Sequence, residues 1–249
     1  MQYGVCHLSI VPLRSSASDE SEMVSQILYG EYFKILEERA QWSRIRVAFD
    51  NYEAWISNKQ FLKIQEEHYL KLKKAKPELS ADVINYITDE KGHLMPIPMG
   101  SVLNSLALFR HVYEGYSETG EKPKLHLIDT ALLYLNSPYA WGGKSPLGID
   151  SSGFTQMVYR LNGYKLFRDA AEQAGQGEAL SFIEESEVGD LAFFDDKEGI
   201  INHVGIIMTD NYIIHADGKV RIDRLDHSGI FNTELRRHTH QLRVIKKII

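Results

Sequence analysis

Phe154, Met157, Val158 and Leu161 recur at i, i+3, i+4 and i+7, between Asp150, a good helix N-cap, and Gly163, a good helix stop. The spacing predicts a helix over Ser151–Leu161. Ahead of it, Leu127, Ile128, Leu132 and Leu135 mark another helical stripe over Leu125–Leu135, ended by Pro138. Behind it the pattern shortens to strands: Leu191–Phe194, His203–Met208, Tyr212–Ala216, Val220–Asp223 and Leu242–Ile249. Helices followed by a run of antiparallel strands is the order of an α+β domain.

The first half has a different texture. Gly4–Val11, Met23–Leu28, Tyr32–Glu37, Trp42–Ala48 and Glu53–Ile56 read as short strands, with Phe33, Ile35, Ile45 and Val47 alternating with polar neighbours. Five strands in about 60 residues suggest a small barrel of the SH3 kind over residues 1–65. Residues 66–124 read as a second, poorer barrel and a linker. Ile87–Leu94 looks like a hairpin, Pro96 and Pro98 demote the next segment to an edge or irregular strand, and Ser117–Lys124 is polar with Gly120 and Pro123. Residues 125–249 form the α+β domain.

Composition bounds the partners. A hydrophobic content of 43% and a charged content of 25% are those of a soluble globular protein. The net charge of -6 argues against nucleic acid or an anionic membrane as partner. The basic cluster Lys71–Lys76 reads as a solvated face. With one cysteine, Cys6, no intramolecular disulfide can form, and its apolar neighbours suggest a buried structural thiol. No apolar run reaches a membrane span, and Met1–Gly4 lacks the charge and apolar core of a signal peptide, so the expected location is cytoplasmic.

The chemistry concentrates around Ser151. A nucleophile in the first turn of a helix gains from the positive end of the helix dipole. His203 opens an apolar strand and His215 ends the next one, joined by the tight connection Thr209–Asn211. A hairpin with that layout brings both histidines to one edge, as base and orienter. Each piece is weak alone: Ser151 beside Asp150 can be only a helix cap, and strand-end histidines are commonly structural. The two can also be read as metal ligands, but no third ligand stands at suitable spacing.

The segment Pro138-Tyr139-Ala140-Trp141-Gly142-Gly143 through Asp150-Ser151-Ser152-Gly153-Phe154, with Gly189–Phe194 and His203–Ile206, resembles the NlpC-like cell-wall peptidases, which have a papain-like fold. The preceding SH3-like barrels extend that resemblance to the γ-D-glutamyl-L-diamino acid endopeptidases of murein peptide recycling. It implies an α+β, papain-like (NlpC-type) catalytic domain preceded by small SH3-like β-barrels. It puts Ser151 in the seat of a nucleophilic cysteine, His203 as general base, His215 as third polar residue and Tyr139 near the oxyanion hole. Around the substrate it implies Asp150, Ser152, Trp141, Arg168 and Asp169, the last as partner of the free amine of an N-terminal L-Ala. The first barrel is expected to close one end of the cleft through an acid and an aromatic: Glu20 or Glu22, and Tyr52 or Trp55. Trp55 can equally be core. The implied partner is a murein-derived L-Ala-γ-D-Glu-diamino acid peptide, and no cofactor or metal is implied.

Serine departs from that family at the position that matters most, because an alkoxide is far harder to form than a thiolate. Three readings arise, in this order: an exchange introduced into an active enzyme, a natural loss of activity that leaves a peptide-binding protein, and a working serine peptidase. An SH3-type adaptor for Pro-rich partners ranks below them, since no matching aromatic groove stands out.

Overall fold

Seven short strands open the chain: β1 (Gln2–Val5), β2 (Ile10–Arg14), β3 (Met23–Leu28), β4 (Tyr32–Glu38), β5 (Trp42–Val47), β6 (Glu53–Ser57) and β7 (Leu62–Ile64). The computed structural model describes residues 1–249 and divides them into two units, Met1–Glu121 with Trp141–Pro146, and Lys122–Ala140 with Leu147–Ile249. The seven strands form one antiparallel sheet in the order β3-β2-β6-β5-β4-β1-β7. Its buried face supplies Val11, Leu13, Ile27, Phe33, Ile35, Ile45, Val47, Ala54 and Ile56 to a single core, so the sheet wraps around itself as a small SH3-like barrel. The expected Gly4–Val11 strand is two strands. Cys6 exchanges backbone hydrogen bonds with Gly30 and Glu31 at the β3–β4 turn, which ends β1 before the chain turns into β2.

The Lys71–Lys76 cluster lies largely on α1 (Glu66–Lys74), which buries Tyr69 and Leu72 beneath its lysines. Glu66 and Glu67 in its first turn and Lys71, Lys73 and Lys74 in its last complement the helix dipole. Next come β8 (Glu78–Ser80), β9 (Ile84–Thr88), β10 (Leu94–Pro98), a short α2 (Leu106–Phe109), β11 (Val112–Tyr113) and β12 (Ser117–Thr119). Strands β10-β9-β11 make one sheet and β12-β8 another, with Pro96 and Pro98 in the edge strand β10, where missing N–H groups cost least. Tyr29 of the barrel packs with Ile87, Ile97 and Leu103.

In the second unit come α3 (His126–Leu132) and, after β13 (Lys144–Ser145) of the first unit, β14 (Gly148–Ile149), α4 (Ser151–Leu161), α5 (Ala170–Gln173) and β15 (Glu178–Leu180). Then come β16 (Leu191–Asp195), β17 (Ile201–Ile207), β18 (Tyr212–Asp217), β19 (Lys219–Asp226), β20 (Gly229–Asn232) and β21 (Arg237–Lys247). The sheet order is β15-β21-β16-β17-β18-β19-β20, and β20 also pairs with β21, so six strands close into a ring. Ala192, Phe194, Ile207, Ile213, Leu225, Ile230 and Ile245 fill it. Helix α4 packs on β17 and β18 and against α3 and α5, which buries it on every side and not on one apolar stripe. This is the expected α+β architecture. No helix is long and apolar enough to cross a membrane.

Gly30 adopts φ +78°, and a Cβ there would lie 1.9 Å from the Val102 carbonyl oxygen, while the Val102 amide donates to the Tyr29 carbonyl at 2.8 Å. Gly30→Ala combines left-handed strain with a backbone clash. It is expected to cost about 2–4 kcal/mol of stability in chemical denaturation, and a loss below about 0.5 kcal/mol would contradict this packing.

Candidate active site

Asp150 caps α4 with extended backbone (φ −92°, ψ 176°), and its carboxylate accepts from the Gly153 amide at 2.7 Å. Its carbonyl accepts from the Phe154 amide. The same carboxylate is held by Arg168, whose Nη1 and Nη2 donate to Oδ1 and Oδ2 at 3.0 and 2.6 Å. Arg168 Nη1 also donates to the Ser152 hydroxyl at 2.9 Å, and that hydroxyl donates to Asp150. Arg168 is 1% exposed, so this two-pronged pairing, not water, stabilises its charge. The result is a rigid first turn with Ser151, 6% exposed, at its head.

The histidines come from the ring of strands. Gly205 of β17 lies directly opposite His215 of β18, which sets His203 one diagonal step from His215 on the same face. A Cβ on Gly205 would meet Ile213 Cδ1 at 2.7 Å and His215 Cβ at 2.9 Å, so glycine there keeps room for the imidazole. His203 Nε2 and His215 Nδ1 are 2.9 Å apart, with ring planes at 90°. His215 Nε2 in turn lies 3.2 Å from Asp223 Oδ2 on β19. Arg221 donates to both oxygens of Asp223, from Nε at 2.7 Å and Nη2 at 3.2 Å, and the Thr233 amide donates at 3.3 Å. His240 of β21 stacks on His203 at 4.1 Å between ring centroids.

Charge is set by this packing. Burial, then His215 and His240, holds the His203 pKa well below 6.5. Burial and then His215 bring His240 down to about 4. Burial pushes the Asp223 carboxyl up, but hydrogen bonds from His215 and Arg221 outweigh it and hold the group at about 2. The array is therefore a neutral, desolvated imidazole backed by a second imidazole and an ionised carboxylate. Such a group takes a proton from a nucleophile and is kept in one orientation while it does so.

The other expected residues fall into separate places. Tyr139 is half-exposed, its amide donating to the Gly218 carbonyl, and burial, then Asp150 and Asp217, raises its phenol pKa. Asp169 is exposed at the head of α5. In the first unit, Trp141 Nε1 donates to Glu22 at 2.6 Å, which joins two of the expected residues directly. Glu20 is exposed on the β2–β3 loop. Tyr52 packs against the barrel core, and Trp55 is buried with the Arg39 guanidinium 4.2 Å above its ring. Asp223, Arg221 and His240 escaped sequence reasoning. The available signal was parity: on β19, Asp223 shares the His215 face through the register His215↔Arg221 and Ile213↔Asp223.

The chain is similar in sequence and in fold to known proteins. The sequence pattern of the NlpC/P60 family matches residues 136–239, and that of the bacterial dipeptidyl-peptidase Sh3 domain matches residues 13–61. Dipeptidyl-peptidase 6 of Lysinibacillus sphaericus is 29% identical over 83% of this chain and 85% of its own. The gamma-D-glutamyl-L-lysine dipeptidyl-peptidase of Bacillus subtilis (strain 168) is 37% identical over 36% of this chain and 31% of its own. The crystal structure of an NlpC/P60 family protein from Bacillus cereus ATCC 10987 superposes with a TM-score of 0.80 over 99% of both chains at 17% identity, a likeness of fold.

The geometry makes two outcomes measurable. Arg168→Met removes the buried partner of Asp150 and should cost about 3–5 kcal/mol in denaturant unfolding, against under about 0.5 kcal/mol if the pair were incidental. The unfolded chain takes up protons at His203 and His240 near the ordinary 6.5, and the folded chain only lower. The unfolded state therefore binds more protons in that window, and stability falls as pH drops from 6.5 towards about 4. Denaturation midpoints across that range test this, and a flat profile would contradict it.

Proposed function

We propose, for a chain that carries an NlpC/P60 domain over residues 136–239 and a bacterial dipeptidyl-peptidase Sh3 domain over residues 13–61, a site built to hydrolyse peptidoglycan peptides. Its target is the γ-D-Glu–diamino acid bond of peptides with a free N-terminal L-Ala. The observation that carries this reading is the chain of partners His203–His215–Asp223, complete on the ring of strands against which α4 packs. A proton acceptor so thoroughly supported suits nucleophilic acyl transfer better than a purely structural histidine. The names of the relatives supply the substrate class, with L-lysine as one diamino acid.

In this mechanism the residue at position 151 attacks the γ-carbonyl, and its proton passes to His203. The oxyanion is met by the Ser151 amide at the positive end of α4, with Tyr139 beside it. The leaving diamino acid takes the proton from His203, and water releases the dipeptide by the reverse sequence. Asp169 supplies the carboxylate for the free amine. With Ser151 the first step is slow or absent, because the imidazole must generate an alkoxide where a cysteine would give a thiolate. A peptide-binding role is the second reading, favoured by the same oxygen atom.

Turnover of L-Ala-γ-D-Glu-L-Lys by the chain and by Ser151→Cys separates the two. The peptidase reading expects kcat/KM to rise on the order of 10²-fold or more in the variant. Peptide binding with no turnover by Ser151→Cys would establish the binder instead, and equal turnover by both forms would make Ser151 a working nucleophile. Blocking the substrate amine, or Asp169→Ala, should weaken binding at least about tenfold, or about 1.4 kcal/mol. Unchanged affinity would remove Asp169 from the site.

A further inference from the structure

We propose that Asp223 is a positioning residue that fixes the tautomers of both histidines, leaving the basic lone pair of His203 on Nδ1. This rests on the reading of His203 as general base and deepens it by assigning Asp223 a role in fixing the ring protons. An ionised carboxylate only accepts hydrogen bonds. At 3.2 Å from Asp223 Oδ2, His215 Nε2 must therefore carry its proton. The Nδ1 of a neutral His215 is then bare, and it faces His203 Nε2 at 2.9 Å. That contact is a hydrogen bond only if His203 Nε2 holds the proton. The remaining ring nitrogen of His203, Nδ1, keeps its lone pair for the nucleophile.

The carboxylate is itself fixed. Arg221 grips both of its oxygens, the Thr233 amide donates to Oδ1, and Glu234 steadies Arg221 from the far side at 3.2 Å. The diagonal placement of His203 against His215, and of His215 against Asp223, comes from strand register and needs no side-chain strain. During attack the proton of the nucleophile goes to His203 Nδ1. The imidazolium then donates through Nε2 to His215, and no proton moves further along the chain. The design keeps the correct nitrogen bare before substrate arrives, which is the role the acid plays in a Ser-His-Asp triad, here exerted through an intervening ring.

Long-range ¹H–¹⁵N spectra of the ¹⁵N-histidine-labelled protein, unaltered and in mildly alkaline buffer, read the tautomers directly. The expected result is Nε2–H at both His203 and His215. Nδ1–H at either ring overturns the proposal, whatever happens in variants. Asp223→Ala should leave a mixture of tautomers at His215 and His203. In the Ser151→Cys background it should lower kcat on the order of 10²-fold with KM within about twofold. A folded Asp223→Ala protein with unchanged tautomers would reduce Asp223 to a structural acid and overturn the assignment. Absence of turnover in Ser151→Cys would count against the peptidase reading alone, since the tautomers are read in the unaltered protein.

Discussion

The Asp150 carboxylate holds the first turn of α4 and the buried Arg168 guanidinium at once. The two tasks reinforce each other. A helix cap alone is worth about 1 kcal/mol and frays easily. Tied into a desolvated two-pronged ion pair, it becomes expensive to move, and Ser151 and Ser152 are carried with it. Arg168 in turn closes on the Ser152 hydroxyl, and Gln173, just beyond it, donates to the Ser152 carbonyl and the Phe167 carbonyl. The position of Ser151, the proposed nucleophile, is thus set from outside the helix by the segment C-terminal to it.

The ring of six strands solves a different problem. Polar groups in a barrel interior must be paired, or each costs several kcal/mol. At one level the interior is aliphatic and aromatic, with Phe194, Ile213, Leu225 and Ile230. On the same faces His203, His215, Asp223 and His240 make a polar layer in which each ring touches another and the ionised carboxylate accepts hydrogen bonds from His215 and Arg221. Period-2 alternation makes this possible, because every second residue of β17, β18 and β19 returns to the interior.

Much of this was legible in the sequence where one local rule dominates. The helix Ser151–Leu161 matches its observed bounds because cap, stripe and stop all agree. Met23–Leu28 matches for a similar reason, bounded by the polar stretch Arg14–Glu22 before it and the turn at Gly30 after it. Legibility failed where tertiary partners decide. Gly229–Asn232 is a strand because it closes the ring between β19 and β21, which no feature of Gly-Ile-Phe-Asn announces. Glu66–Lys74 was hidden by its charge, since only Tyr69 and Leu72 report its buried side. In the site, His203 and His215 declared themselves by chain order, whereas Asp223 and His240 depend on register between strands.

That difference bears on the serine. In the proposed mechanism a cysteine at position 151 would share a proton with His203, and the resulting thiolate would stabilise an imidazolium that burial otherwise opposes. With serine, no such counter-charge forms, and burial with two neighbouring imidazoles keeps His203 neutral. The backing array does not distinguish the cases, because an ionised Asp223 behind His215 supports a neutral base and a transient imidazolium alike. In that mechanism the oxygen changes the first proton transfer, which must then be made uphill to an alkoxide at the moment of attack. On the proposed mechanism, His203, its backing array and the helix dipole supply base, orientation and charge, and the identity of one atom at position 151 decides how much rate they can produce.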